Sequence, residues 1–213
     1  MLDLLVKNGL TYVDGVFKKC DVGVKDGKIA CVAECGILGE AKRVIEAEGK
    51  YVIPGGIDTH VHIRSPGHDD REDFYTGTMS AAQGGCTTIL DHHYVFPQGK
   101  SDRFLNVQFA AADELGVRFH ATRGSMDLGV KDGGLPPDSV VQTIDKIMYD
   151  SEAAVKQFHD PSRYSMHQVA LAPCSPFSVS EELLRQTAIL ARQLGVRMHT
   201  HLAETKDEEA YLL

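Results

Sequence analysis

The chain has 213 residues, 43% hydrophobic and 24% charged, enough to bury a core as one large domain, or as a small domain plus part of a larger one. A net charge of -8 and a pI near 5.6, with no Lys/Arg cluster, argue against a phosphate-binding surface and so against a nucleic-acid polymer as partner. The opening MLDLLVKNG carries Asp3 and only a short apolar stretch, matching neither a signal peptide nor a membrane span, so a cytoplasmic chain without a membrane partner is expected.

Residues 1–53 contain short β-branched runs punctuated by turn signals: Leu2 to Val6, Asn8-Gly9, Leu10 to Val13, Asp21 to Val24, Asp26-Gly27, then Ile29 to Val32. This predicts hairpins of a small antiparallel sheet. From residue 52 apolar strand-like runs alternate with helical patterns. The strands are expected at Val52 to Ile63, Thr87 to Asp91, Val117 to Thr122, Gln168 to Ala172 and Val196 to His201. The helices are expected at Glu72 to Gln83, Asp102 to Leu115, Asp138 to Phe158 and Val179 to Leu194, with Ser178 and Glu181 as a capping box and Gly116 and Gly195 as C-terminal caps. Repeated strand-helix units imply parallel strands with right-handed crossovers, in a doubly wound sheet or a (β/α)8 barrel. Five units are visible before the chain reaches AETKDEEAYLL, which reads as the start of another helix. The five scattered cysteines include no Cys-x-x-Cys pair, which suits reduced thiols; Cys31 and Cys35 are better explained as buried apolar residues than as metal ligands.

Ten histidines would give about half of one His-x-His pair by chance, and this chain has two, His60-Val61-His62 and His199-Thr200-His201. Each closes a predicted strand, and residues two apart on a strand face the same way, so each pair projects its imidazoles together. In a barrel that face is the interior and that end the active-site mouth; the competing reading is satisfied core histidines near strand ends. Glu204, three past His201, is placed to reach water on a metal held by the histidines. Neutral imidazoles suit zinc or iron. Asp58 faces inward beside His60, as a neighbour of the site or as an ordinary hydrogen-bond partner.

Pro54-Gly55-Gly56-Ile57-Asp58-Thr59-His60-Val61-His62 resembles the first-strand signature of the amidohydrolase superfamily of metal-dependent hydrolases, and His199-Thr200-His201-Leu202-Ala203-Glu204-Thr205 resembles its fifth-strand signature. The resemblance implies an α/β fold, a partial (β/α)8 barrel of about five of eight units at 54–213, preceded by part of a small β-sandwich at 1–53. Residues 52–90, with Arg64-Ser65-Pro66-Gly67 and Gly84-Gly85-Cys86-Thr87-Thr88, look like the cyclic-amide hydrolases (dihydroorotase, allantoinase, hydantoinase). Residues 91–213 look like the aminohydrolases of purines and triazines, on the segments DHHYVFPQG, RGSMDLG, GGLPPDSVV, HDPSRYSM, ALAPCSPFSVS and HTHLAET. Cyclic-amide hydrolases bridge two metals with a fourth-strand lysine, but that strand here reads Gln168 to Pro173 without one, and Lys156 falls in the preceding helix.

The resemblance therefore implies one divalent metal ion, zinc first and iron second, on His60, His62 and His201, with Glu204 moving protons during hydrolytic deamination of a small amino-substituted purine, pyrimidine or triazine. Arg123, His92, His93 and Arg64 are candidate substrate contacts in the loops past the strands. The sixth-strand His and eighth-strand Asp of the deaminase branch fall beyond residue 213, so the chain alone is not expected to be a competent enzyme. The alternatives are a cyclic-amide hydrolase and a non-catalytic chain that only associates with other subunits, homo-oligomers included.

Overall fold

A computed structural model describes residues 1–97 and 103–212. They divide into two compact units, Met1–Gly55 and Gly56–Leu213. In the first unit β1 (Leu2–Val13), β2 (Val16–Lys25), β3 (Lys28–Glu34), β4 (Ala41–Glu46) and β5 (Tyr51–Val52) form one sheet in the order β3-β2-β1-β4, with β5 also on β1. The expected hairpin at Asp26-Gly27 is present, and a second lies at Asp14-Gly15; all four residues have positive φ, as the tightest hairpin turns require. Two expectations are corrected. The sheet is mixed, because β4 and β5 run parallel to β1. Asn8-Gly9 is a bulge inside one long strand: Asn8 takes φ 62, its amide donates to Asp21 Oδ1 at 2.8 Å, and the register slips between Val6 and Gly9.

The second unit runs β6 (Gly56–Val61), α1 (Phe74–Gln83), β7 (Cys86–Asp91), α2 (Phe104–Leu115), β8 (Arg118–Ser125), α3 (Ile144–Phe158), β9 (His167–Pro173), α4 (Glu181–Leu194) and α5 (Lys206–Leu212). The four strands are parallel and adjacent in chain order, β6-β7-β8-β9. A doubly wound sheet reverses its strand order at a switch point, and this sheet does not, so the unit is the partial barrel. Ile89, Phe119, Val169 and Leu171 of the strands form one apolar core with Phe74, Phe109, Val155 and Ala191 of the helices. That core defines the helix-facing side of the sheet. Among the described residues no helix is long and apolar enough to cross a membrane.

The expected fifth strand, Val196 to His201, is reduced to a single parallel bridge between Met198 and Leu171. Leu171 N–H donates to Arg197 O at 3.0 Å and His199 N–H to Leu171 O at 2.9 Å, after which the chain turns so that His201 N–H reaches Cys174 O at 3.0 Å. The segment holds the fifth-strand position with too few ladder bonds to be a strand.

Helix starts shift for local reasons. Asp73 and Thr76 cap α1 reciprocally, Thr76 N–H donating to Asp73 Oδ1 at 2.7 Å and Asp73 N–H to Thr76 Oγ1 at 2.9 Å. The residue expected to open α2, Asp102, lies outside the described residues, as do Gln98 and Gly99 of the DHHYVFPQG segment. Asp138–Val140 forms a separate 3-10 turn, and α3 begins only after Thr143, because Gln142 N–H is drawn to Met126 O at 2.9 Å. Ser180, not Ser178, caps α4, accepting from Leu183 N–H at 3.1 Å, while Ser178 closes the turn from Ser175. Gly116 and Gly195 close α2 and α4 at φ 69, the left-handed cap expected of them.

Candidate metal centre

Side chains alternate across a strand, so the residues packed among the helices identify those on the opposite face. Val61, Ile63, Ile89, Phe119, Ala121, Val169, Leu171 and Val196 belong to the helix-facing core. Asp58, expected to face inward, instead pairs with helix-facing Ile89 ahead of a register shift in β6 and lines a cavity with Ser80 and Ala81 of α1, while His60, His62, His92, Thr122, Gly124, His199 and His201 lie on the inner face. Five imidazoles gather there, with His92 4.2 Å from His201 and 4.9 Å from His199 between ring centroids.

The hydrogen bonds of two rings dictate where their lone pairs point. A carbonyl oxygen can only accept, so His62 donates its Nδ1–H to His92 O at 2.8 Å and His201 donates its own to Cys174 O at 2.8 Å. Each then carries a bare lone pair on Nε2. Those two Nε2 atoms face each other at 3.2 Å, and His60 Nε2 lies 3.0 Å from His62 Nε2. Opposed lone pairs at that distance repel unless something positive lies between them. Tetrahedral zinc with Zn–N bonds of about 2.0–2.1 Å holds its nitrogens about 3.3 Å apart, close to the spacing of this trio.

Burial pushes the His60, His62 and His199 pKa values down. All three are thereby held neutral, the form that ligates. His92, fully buried, is pushed down to about 2 by desolvation and then by the surrounding histidines. Neither of its ring nitrogens has a hydrogen-bond partner among the described residues.

The segment carrying His92 is fixed by Gly124. A Cβ there would lie 2.2 Å from both His93 O and Tyr94 Cα, which are backbone atoms, and Thr122 Oγ1–H donates to the same His93 carbonyl at 3.1 Å. Gly124→Ala is expected to lower stability by about 1–3 kcal/mol, through overpacking that neither strand can relieve. Urea unfolding measures it, and an unchanged midpoint would refute the close approach.

Two expected substrate contacts face the other way. His93, one residue past His92, packs against Phe74, Phe96 and Phe104 in the helix layer, and burial lowers its pKa to about 4. Arg123 is 2% exposed, lies over the Phe96 ring at 4.2 Å, and donates to Gln142 Oε1 at 2.8 Å and Asp150 Oδ2 at 3.3 Å. It lines a cavity of about 270 Å³ with Lys146 and Asp150, on the helix side of the sheet. Strand β8 extends to Ser125 through its pairing with β9, which places Arg123 on the strand rather than in a loop. Arg64 remains at the mouth, exposed beside a crevice it shares with His62 and His92. Asp58 Oδ1 accepts from His60 N–H at 3.2 Å.

Glu204 is exposed, on the wall of a cavity of about 550 Å³ with Leu202, Thr205 and Glu208. Its negative charge acts on His60 and Cys174. The residue that sequence reading missed is Glu208. Only 2% exposed, its carboxylate accepts Ala203 N–H at 2.7 Å and Glu204 N–H at 2.9 Å, holding the loop in which Ala203 takes φ 58. The signal was present as Thr205-x-x-Glu208, the spacing of a capping box: Glu208 N–H donates to Thr205 Oγ1 at 3.2 Å, but the carboxylate reaches one and two residues further back.

The chain is 51% identical over 129 residues to an 8-oxoguanine deaminase of Pseudomonas aeruginosa, covering 61% of this chain and 28% of that protein. It is 42% identical over 233 residues to the hydroxydechloroatrazine ethylaminohydrolase of Pseudomonas sp. (strain ADP), covering 91% of this chain and 48% of that protein. An allantoinase of Bacillus licheniformis is 38% identical over 152 residues, 67% of this chain and 31% of its own length. The chain thus spans about half the length, or less, of these curated relatives. Among solved structures, atrazine chlorohydrolase from Arthrobacter aurescens TC1, complexed with zinc, superposes with a TM-score of 0.85 at 26% identity, over 98% of this chain and 55% of that one. Residues 51–213 match the amidohydrolase family along their whole extent, and the chain belongs to that family.

Proposed function

We propose that His60, His62 and His201 are the histidine ligands of a single catalytic metal ion, zinc in the first instance, in a hydrolase of C–N bonds other than peptide bonds. The observation that carries this reading is the convergence of three Nε2 atoms, two of them left with a bare lone pair because a backbone carbonyl holds the ring proton on Nδ1. A bound divalent ion would lower the pKa of water and polarise the substrate. The remaining work falls to the chain's own groups. Glu204 takes a proton from the attacking water and delivers it to a ring nitrogen; it then takes the remaining proton from the new carbon-bound hydroxyl and passes it to the amine, which leaves as the carbonyl forms. His92, with both nitrogens free of partners among the described residues, is the inner-face group best placed to hydrogen-bond a ring heteroatom, and Arg64 is the cation at the mouth. The substrate read from this is a small amino-substituted purine, pyrimidine or triazine, in keeping with the two aminohydrolase relatives.

The allantoinase relatives favour a second reading, opening of a cyclic amide. Against it, the inner face of β9 presents Gln168, Ala170 and Ala172, with no lysine to bridge a second metal. Two measurements test the proposal. His62→Ala should reduce bound zinc from one ion per chain to background, and wild-type stoichiometry in that variant would refute the site. The natural gene product should release ammonia from amino-heterocycles; ring opening of hydantoins or dihydroorotate without ammonia release would favour the second reading.

A further inference from the structure

The three proposed ligands do not share one kind of support. His62 and His201 each lean an Nδ1–H on a main-chain carbonyl, whereas His60 Nδ1 lies 2.9 Å from Nε2 of His199. The His60 and His199 rings are inclined by only 25°, with centroids 5.1 Å apart. We infer that His199 is the hydrogen-bond acceptor that fixes the tautomer and orientation of His60, a positioning residue rather than a metal ligand.

The inference rests on the metal reading above and follows from counting protons. If His60 uses its Nε2 lone pair for the ion, a neutral ring carries its only proton on Nδ1. That proton points at His199 Nε2, which must then be unprotonated, placing the His199 proton on its own Nδ1. All three ligands are satisfied in this arrangement, and the outer partner of a ligating histidine is what sets its basicity and aim. The nitrogens of His60, His92 and His199 are also close enough to suggest a second ion. Ligation of two ions by His60 would strip it of both ring protons, and its Nδ1 contact with His199 is already a hydrogen bond. The second member of the His-x-His pair thus ligates while the first orients a ligand on another strand.

The test uses the purified chain and zinc alone, with affinity read by competition against a chromophoric chelator. His199→Leu, which removes the acceptor, is expected to weaken zinc binding by about 10–100-fold. His199→Gln, whose Oε1 replaces Nε2 as acceptor, is expected to stay within a few-fold of wild type. Nitrogen-15 spectra of the zinc-loaded chain should show His60 protonated at Nδ1 in wild type and in His199→Gln. Wild-type affinity in His199→Leu, equal weakening in both variants, or a fall from two bound ions to one on replacing His199 would each overturn the assignment. Zinc binding that His62→Ala leaves intact would overturn the metal centre itself, a separate result. Far-ultraviolet circular dichroism identifies a misfolded variant, and if His199→Leu misfolds the decision passes to His199→Gln and the wild-type spectrum.

Discussion

Changing Glu204 to glutamine is expected to lower turnover in the natural gene product by about 10²–10⁴-fold while leaving zinc bound at wild-type affinity. The amide keeps the size and most hydrogen-bonding capacity of the side chain and removes only its ability to carry a proton. The proposed ligand trio does not include Glu204, so loss of turnover and loss of metal separate cleanly. Its main chain is gripped from α5: Glu208 accepts the amides of Ala203 and Glu204, and Ala203 holds a left-handed φ of 58 that an alanine adopts only under constraint. Metal content by mass spectrometry and ammonia release by a coupled assay decide the outcome. Retained turnover in Glu204→Gln would remove Glu204 from the proton path, and lost zinc would mean that it ligates.

Much of this centre was legible because strand parity is a local rule. His-x-His at a strand end projects both rings to one face whatever surrounds it, so His60, His62, His199 and His201 were readable as a group. The same rule separates His92 from His93, but its use requires knowing where β7 stops, and the junction falls between Asp91 and His92. Arg123 was misplaced for the same reason, since only pairing with β9 carries β8 on to Ser125. The Asn8-Gly9 bulge was opaque because Asn-Gly is the standard hairpin signal, and the partner that converts it to a bulge, Asp21, lies on the next strand. The fifth strand fell short for a non-local reason as well: a ladder depends on the neighbours a segment finds, and Val196 to His201 finds only the backbone around Leu171 and Cys174. Glu208 could have been found, because its spacing from Thr205 is a sequence pattern with a known mechanism.

Asp91→Asn is expected to stabilise the chain at neutral pH and to flatten its pH dependence. Asp91 is fully buried on the helix-facing side of β7, accepting Ile63 N–H at 3.2 Å and Gln108 Nε2–H at 2.7 Å. Desolvation raises its pKa from 3.8 to about 7 against the opposing pull of those two donors. Because the folded chain holds this proton more tightly than the unfolded chain, Asp91 contributes full stability below the unfolded pKa. That contribution is lost as pH climbs from about 4 to about 7 and levels off above. A shift from 3.8 to about 7 corresponds to about 4 kcal/mol across the window, of which about 3 kcal/mol falls between pH 5 and pH 8. Asparagine removes the titration and keeps the geometry: its Oδ1 still accepts from Ile63, and its Nδ2 can donate to Gln108 Oε1, which has no partner among the described residues. Urea unfolding of both proteins at pH 5 and pH 8 should show the variant's advantage growing by about 3 kcal/mol toward the higher pH. An advantage that shrinks with rising pH would mean that Asp91 is ionised in the fold, its charge stabilised by Ile63 and Gln108, and that burial is the weaker influence at this position.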